Sequence, residues 1–419
     1  MSTPRPLHLH QPPPSDRLLV ILSDIEMGAG GVQDDFPHSD FLGELILSYN
    51  EPPFAEVAID LIFNGDTFDL LKTPYLDRWP HLISRDVALG KMARVAAAHP
   101  RFFEGVRRFL QHPGAARRVY FVTGNHDAEL VFPEVRQFIA SLCGPAEQVR
   151  FPGFFMRAGR VHIEHGSQRD PMFRVDEDKP LVEFDGEEVL NISWGSVALL
   201  ETVMSLHPLL YVHDRLTPKD EVFKVLPELR ELGVDAMWKY WTRDYWKGYF
   251  GGGDPTKKVS WRLVKELMSR YYNKNTEIEL ETALMEQLRE RDDVLLYVIG
   301  HTHLPGVWTY GDRKLMQAGC LRNEYMPVDE GKTLRAVPKN FIEVYLRDEA
   351  PVRSSFVEVE APEPPPGYVP ESIFDVMPQV REMLAANQGK DQQEQQQARR
   401  EQEKREAAEE REAARSAGS

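Results

Sequence analysis

Five short stretches of the sequence end in side chains that bind divalent metal ions, namely carboxylates, an amide and imidazoles. Ligands in this mixture suit Mn²⁺, Zn²⁺ or iron, and a site for two ions needs about this many when one ligand is shared. The stretches therefore indicate a metal centre. The candidate side chains are Asp24, Glu26, Asp66, Asn125, His126, His165, His301 and His303.

Each stretch follows a short apolar run that is typical of a buried β-strand. A helical pattern at 84–113 would supply the crossover that two parallel strands require. In open α/β sheets ligands bind at the carboxyl ends of the strands, so we expect side chains that are distant in sequence to meet there. The predicted strands are 17–24, 57–66, 117–127, 160–166 and 293–303.

Two hairpins predict that the second half of the domain is partly antiparallel. One turns at Ala158-Gly159 and the other at Gly311-Asp312, and a further strand follows at 340–348. Glycines accompany the candidate ligands, where the backbone must turn sharply and allow an ion to approach. These glycines are Gly65, Gly124, Gly166 and Gly300.

Taken alone, each motif is weak evidence, because a Gly-Asp pair is usually a turn and Asn125-His126 could simply cap a helix. Together and in this order, "SDIE", "GDTFD", "GNHD", "EHG" and "GHTH" resemble the motifs of the calcineurin-like metallophosphoesterase family. Four of the five are intact. The resemblance covers about 20–175 and 293–325, and it is nearest to bacterial UDP-2,3-diacylglucosamine hydrolase-like members.

The resemblance implies an α/β (α+β) fold, a four-layer β-sandwich flanked by helices, with two divalent metal ions. It implies hydrolysis of a phosphomonoester, phosphodiester or pyrophosphate bond by in-line attack of a metal-bridging hydroxide. His126 would contact the phosphate and protonate the leaving oxygen, with Asp127 orienting it. The implied ligands are Asp24, Glu26, Asp66 and His303 for one ion, and Asp66, Asn125, His165 and His301 for the other.

The sequence departs from the family at Glu26, where the family usually has histidine. Strand alternation directs Asp24 and Glu26 to the same side, so the Glu26 carboxylate could bind a metal ion. An oxygen ligand in place of an imidazole would make the site favour the harder ions Mn²⁺ or Mg²⁺ over Zn²⁺. The competing interpretation has Glu26 pointing away and the first ion weak or absent. We favour ligation, with Mn²⁺ as the expected metal. A second departure is Ser167, and nearby Arg169 is either a phosphate contact or a solvated loop residue.

Composition separates a Pro-rich, disordered N-terminus at 1–16 and a tail at 361–419 from the rest of the chain. The resemblance implies a metallophosphoesterase domain at 17–360 between them. The tail consists of a Pro-rich linker, a short helix and a Q/E/R-rich run that could bind a protein partner. An inserted helical cap is predicted at about 174–292. Its aromatic side chains Trp238, Trp241, Tyr245 and Tyr249 could meet a lipid interface or stack a nucleotide base, but packing of the cap onto the core is favoured. His207 and His213, also in the cap, match no motif.

The net charge of −16 argues against nucleic acid as a general partner, because nucleic-acid binding needs a basic face. We expect a small-molecule or lipid-linked phosphate substrate. The N-terminal "MSTPRPLHLHQPPPSDR" lacks the apolar core of a signal peptide and no stretch predicts a transmembrane span, so we expect a cytoplasmic protein, with peripheral membrane contact left open. Two rival functions remain: a protein-binding scaffold with a weakened metal site, and a metal-dependent nuclease.

Overall fold

The computed structural model describes residues 13–204, 207–225, 227, 239–246, 253–257, 263–265, 269, 280–360, 362–370, 372–376, 378 and 381–382. Most of the predicted disordered N-terminus and the whole charged run of the tail lie outside the described residues. The same is true of Trp238 and Tyr249 in the aromatic segment.

A six-stranded mixed sheet forms the first half of the domain. Its four parallel strands are β1 (Arg17–Leu22), β2 (Ala58–Asn64), β3 (Arg117–Val122) and β4 (Val149–Gly153). On the other side of β1 the sheet continues with two antiparallel strands, β14 (Lys339–Arg347) and β15 (Ala350–Val359). The strand order is β15-β14-β1-β2-β3-β4.

A five-stranded sheet forms the second half, in the order β10-β11-β9-β6-β5. Both predicted hairpins are present in it. One hairpin joins β5 (Phe155–Ala158) to β6 (Val161–Glu164), and the other joins β10 (Gly306–Tyr310) to β11 (Arg313–Gln317). Between them lies β9 (Leu296–Ile299), which is parallel to both neighbours.

The two sheets pack face to face and helices cover their outer faces. In β1, Leu19 and Ile21 face the second sheet, while Leu18 and Val20 face the helices. This alternation explains why the strand is apolar throughout. The helices on the first sheet are α1 (Ser39–Ser48), α2 (Arg85–Ala98), α3 (Pro100–Leu110) and α4 (Pro133–Cys143). The second sheet is covered by α8 (Leu280–Glu290). The predicted four-layer α/β sandwich is thus confirmed.

The inserted region carries helices and also a hairpin that the sequence pattern does not predict. Its described helices are α5 (Trp194–Thr202), α6 (His207–Asp214) and α7 (Lys219–Val225), and a π-helical turn spans Tyr240–Asp244. The hairpin consists of β7 (Leu181–Phe184) and β8 (Glu187–Leu190), and a second small hairpin, β12 (Tyr325–Val328) with β13 (Thr333–Ala336), follows the second sheet.

The described aromatic residues of the insertion pack against one another. Tyr240, Tyr245 and Leu263 form a buried cluster with Trp194 of α5, and Trp241 packs against it. These contacts show packing within the insertion, with the partly buried Met172 beside it, and packing of the cap onto the core stays a prediction. Among the described helices, none is both long enough and apolar enough to cross a membrane.

Close packing of α1 on α3 supports the loop that leads from β1 to the candidate metal centre. Gly43 of α1 faces Gly105 of α3, and a Cβ atom at Gly105 would lie 2.6 Å from the Gly43 Cα. Real Cβ atoms do not approach so closely, so the two helices would have to separate.

We expect Gly105→Ala to destabilise the protein by about 1–3 kcal/mol, because overpacking here outweighs the better helix propensity of alanine. The exposed Ala93→Gly in α2 is the matched control and should cost about 1 kcal/mol from propensity alone. Urea unfolding of both variants checks this expectation. A Gly105→Ala protein as stable as the wild type would contradict the tight contact.

Candidate metal centre

The five predicted strand ends meet at one edge of the sandwich, where backbone hydrogen bonds join their loops. The N–H groups of Ile25 and Glu26 donate to the Asp66 carbonyl at 3.0 and 2.9 Å. The His126 N–H donates to Asp66 Oδ1 at 2.8 Å. Asp66 is therefore the residue around which the first three loops are arranged.

The loops of the second sheet join the same edge. The Gly300 N–H donates to the His165 carbonyl at 2.8 Å, and the His301 N–H lies 3.2 Å from both oxygens of Asp24. Asp24 belongs to the first sheet, so this contact ties the two sheets together at the centre.

Five of the candidate residues adopt left-handed backbone conformations, which residues other than glycine rarely adopt. Their φ angles are 52° for Asp24, 54° for Glu26, 49° for Asp66, 77° for His301 and 61° for His303. Each such residue costs on the order of 1 kcal/mol or more, and such strain clusters where the surroundings fix a functional geometry. This concentration at one edge points to a functional site.

Two of the predicted glycines permit close approach to candidate ligands. A Cβ atom at Gly65 would overlap the ring of His165, and one at Gly124 would overlap the carboxylate of Asp66. Gly65 also has φ = 78°. Gly65 is therefore required both by its turn and by the His165 ring packed on it, and Gly124 by the Asp66 carboxylate packed on it.

The first group of candidate ligands consists of Asp66, His165 and His301, whose ligand atoms all lie within 4.8 Å of one another. His165 Nδ1 lies 3.0 Å from the Asn64 carbonyl, which leaves Nε2 directed at Asp66 Oδ2, 3.0 Å away. Among the described residues, Asn125 Oδ1 is buried without a hydrogen-bond partner, and the contact of His165 Nε2 with Asp66 Oδ2 lacks the geometry of a hydrogen bond. Buried polar atoms rarely stay unpaired, and a metal ion would satisfy both.

The second group consists of Asp24, Glu26 and His303. His303 Nε2 lies 3.3 Å from Asp24 Oδ1 and 3.5 Å from Glu26 Oε1. Its other nitrogen, Nδ1, lies 2.6 Å from Glu324 Oε1, an arrangement that orients many metal-binding imidazoles. Glu324 lies in no recognisable motif, so the sequence pattern does not identify it.

The second carboxylate oxygen of Glu26 contacts two cations that the sequence analysis also missed. Oε2 accepts hydrogen bonds from Lys72 Nζ at 2.8 Å and from Arg322 NH1 at 2.7 Å. Burial raises the pKa of Glu26, but Arg322 and Lys72 outweigh it and hold the pKa well below its usual value. Glu26 is thus ionised, and it points into the centre rather than away from it.

Two of the central carboxylates have no lysine or arginine partner among the described residues. Asp24 and Asp66 are buried, and their ion-pair contacts among the described residues are with imidazoles alone. Burial lowers the pKa of His165, but Asp66 and Asp24 outweigh it and raise the pKa to about 9. Buried negative charge of this kind needs a cation, so the residues fit a site for divalent metals.

His126 lies beside these groups, but Asp127 does not contact it as predicted. His126 Nδ1 lies 3.0 Å from Asp69 Oδ1. The carboxylate of Asp127 instead accepts hydrogen bonds from the N–H groups of Thr67 at 2.8 Å and Gly124 at 2.7 Å. Asp127 therefore stabilises the loops, and the expectation that it orients His126 is corrected in favour of Asp69.

Arg169 forms an ion pair beside β6. Its guanidinium contacts Glu164 at two points, at 2.8 Å from Nε and 3.0 Å from Nη2. Glu164 also lies 3.3 Å from Nε2 of the buried His162. Arg169 is thus a paired residue rather than a fully solvated one, and its contact with phosphate stays a prediction.

Neither a scan against protein-family models nor a search of curated proteins finds a match to this sequence. Among solved structures, Vps29 of Entamoeba histolytica, complexed with Zn²⁺, is 9% identical with a TM-score of 0.26, over 81% of this chain and 98% of that one. A dimetal phosphatase from Danio rerio is 11% identical with a TM-score of 0.31, over 83% and 100%. Phosphopantetheinyl hydrolase (PptH) from Mycobacterium tuberculosis is 13% identical with a TM-score of 0.26, over 73% and 91%. Such low TM-scores establish no relationship, so the function has to be argued from the contacts described above.

Proposed function

We propose that the protein is a metal-dependent phosphoesterase of the calcineurin-like kind that uses two divalent ions. The observation that carries the proposal is the adjacency of the two ligand groups. Asp24 Oδ1 lies 3.3 Å from His303 Nε2 in one group and 3.9 Å from His165 Nε2 in the other. Two ions held this close would share ligands, as binuclear hydrolases require.

In this proposal one ion is held by Asp24, Glu26, Asp66 and His303, and the other by Asp66, Asn125, His165 and His301. When bound, the two ions neutralise phosphoryl oxygens and lower the pKa of a water molecule enough to make it a nucleophile. Carboxylate-rich ligands favour Mn²⁺ or Mg²⁺ over softer ions. Burial raises the pKa of the nearby Cys320 thiol, so the thiol is neutral in the metal-free protein.

His126 is the candidate general acid. Burial lowers its pKa, but the carboxylates around it, Glu26 foremost, raise the pKa to about 10, so the ring carries a proton at neutral pH in the metal-free protein. Asp69 holds Nδ1, which leaves Nε2 to protonate the leaving oxygen of a phosphoester. The bond cleaved would belong to a phosphomonoester, phosphodiester or pyrophosphate.

We expect the purified protein to bind two Mn²⁺ per chain and to hydrolyse bis-p-nitrophenyl phosphate when Mn²⁺ is present. Asp66→Ala removes the shared ligand and should lower the rate on the order of 10³-fold, whereas Glu26→Ala should lower it about 10–100-fold. Metal analysis by mass spectrometry and steady-state kinetics check both. The exposed Asp293→Asn is the control and should behave as the wild type. A protein that binds no Mn²⁺ and hydrolyses neither this diester nor DNA would support the scaffold function instead.

The role of His126 predicts a dependence on the leaving group. His126→Gln should slow hydrolysis of alkyl phosphates about 10²–10⁴-fold, since an alkoxide needs a proton, but should slow p-nitrophenyl substrates much less. Asp69→Asn should also slow alkyl phosphates more than p-nitrophenyl substrates, but by a smaller factor. Asp127→Asn should mainly lower the stability of the protein, because Asp127 holds the loops together. If His126→Gln slowed hydrolysis of both kinds of substrate equally, the imidazole would only bind the phosphate and would not act as a general acid.

A further inference from the structure

Lys72 and Arg322 form a pair of buried cations beside the candidate metal centre, with side chains only 8% and 4% exposed. Both contact Glu26 Oε2, as described above. Both also contact Asp214 Oδ2, at 2.7 Å from Lys72 Nζ and 3.0 Å from Arg322 NH2. We call Lys72 and Arg322 the cation pair.

Asp35 is the third carboxylate on the cation pair, and it is fixed in place. Its Oδ2 lies 2.5 Å from Lys72 Nζ and its Oδ1 accepts a hydrogen bond from Arg215 Nε at 2.8 Å. Asp35 and Glu26 have side chains that are only 1% exposed. Neither could leave the cation pair without uncovering a buried charge.

Asp214 differs from those two carboxylates in position and exposure. It lies at the end of α6 in the inserted region, and its side chain is 38% exposed. Its ligand oxygen lies within 4.8 Å of the Glu26 and Asp35 oxygens. Two further carboxylates contact the cation pair, Asp69 at 3.0 Å from Lys72 Nζ and Glu324 at 3.6 Å from Arg322 Nε, and both are buried. Among the described anions on the cation pair, Asp214 is therefore the most exposed and the one that solvent or a ligand could replace.

His207, at the start of α6, adds a second observation. It is 4% exposed, and within the described part of the chain neither of its ring nitrogens has a hydrogen-bond partner. Burial lowers the pKa of His207 and Lys72 lowers it further, while Asp214, Asp35 and Asp69 raise it. The imidazole thus lies on the same helix as Asp214, with hydrogen-bonding capacity that no described residue uses.

We propose that Lys72, Arg322 and His207 bind a second oxyanion group of the substrate, a phosphate or a carboxylate, and that Asp214 occupies this place in the free protein. The proposal rests on the proposed function, which puts the reacting phosphate at the metal centre. Glu26 reaches both places, with Oε1 near His303 and Oε2 on the cation pair. The second group therefore binds directly beside the reacting phosphate.

The exchange keeps the charges balanced, since one anion replaces another on two cations. An oxyanion also accepts charge-assisted hydrogen bonds from both cations, which are stronger than neutral ones. Because Asp214 belongs to the inserted region, this region would select substrates that carry two neighbouring anionic groups over substrates that carry one.

Calorimetric titration of the Mn²⁺-loaded protein tests the inference with three ligands. Methylphosphonate carries one oxyanion group, methylenediphosphonate carries two, and phosphonoacetate pairs a phosphonate with a carboxylate. We expect the wild type to bind at least one of the latter two more tightly than methylphosphonate, and the tighter one identifies the second group. Chelation of Mn²⁺ by the ligand is the same for every variant, so it cancels when variants are compared.

Asp214→Asn removes the competing anion and should strengthen binding of the two-group ligand about 10-fold, without changing methylphosphonate binding. His207→Gln should weaken the two-group ligand several-fold and again spare methylphosphonate. Asp293→Asn, an exposed carboxylate paired with Arg157, is the control and should change neither.

Two results would overturn the inference, and they are distinguishable. If methylphosphonate binds but the two-group ligands bind no more tightly, or if Asp214→Asn changes all ligands equally, the second site is wrong and the phosphoesterase proposal stands. If methylphosphonate fails to bind the Mn²⁺-loaded protein, the proposed function is wrong and the inference fails with it.

Discussion

The structure depends most on buried negative charge at the carboxyl ends of the strands. Asp24, Glu26 and Asp66 are all buried within one set of loops, and only Glu26 has lysine or arginine partners among the described residues. Without another cation, the neighbouring imidazoles carry the compensating protons, which is why the pKa values of His126 and His165 are raised to about 10 and 9. Metal binding to His165 would release its proton, so metal affinity should increase with pH.

The backbone around this charge is strained, and the sandwich is what maintains the strain. The five left-handed residues at the centre are tied to one another by hydrogen bonds between loops of both sheets. Apolar packing between the sheets and under the helices holds the strand ends that carry these loops. A rigid scaffold of this kind can impose a geometry on its loops that the loops would not adopt alone.

Much of this arrangement could be predicted from the sequence, because the signals were local. Apolar runs of strand length ended directly in carboxylates, imidazoles or glycines, and parallel strands bring their ends together. The strand ends at Asp24, Asp66 and His301 were found in this way. The hairpins were found from their turn residues.

The residues that the sequence did not reveal act through tertiary contacts. Lys72, Arg322 and Glu324 lie in loops without a strand-end pattern, and Asp214 comes from a helix of the inserted region. Asp69 takes the place expected for Asp127, because Asp127 is next to His126 in the sequence whereas only the fold brings Asp69 to the imidazole. The segment 362–370, predicted as a linker, packs on the domain through the buried Tyr368, whose hydroxyl donates to the Asp34 carbonyl at 2.6 Å.

In the proposed centre, Glu26 contacts a metal ion with one oxygen and the cation pair with the other. Anomalous diffraction from crystals grown with Mn²⁺ tests this arrangement most directly. We expect two peaks about 3.5–4 Å apart, one of them coordinated by Glu26 Oε1 together with Asp24 and His303. A single peak at Asp66, His165 and His301, with Glu26 contacting only Lys72 and Arg322, would contradict it.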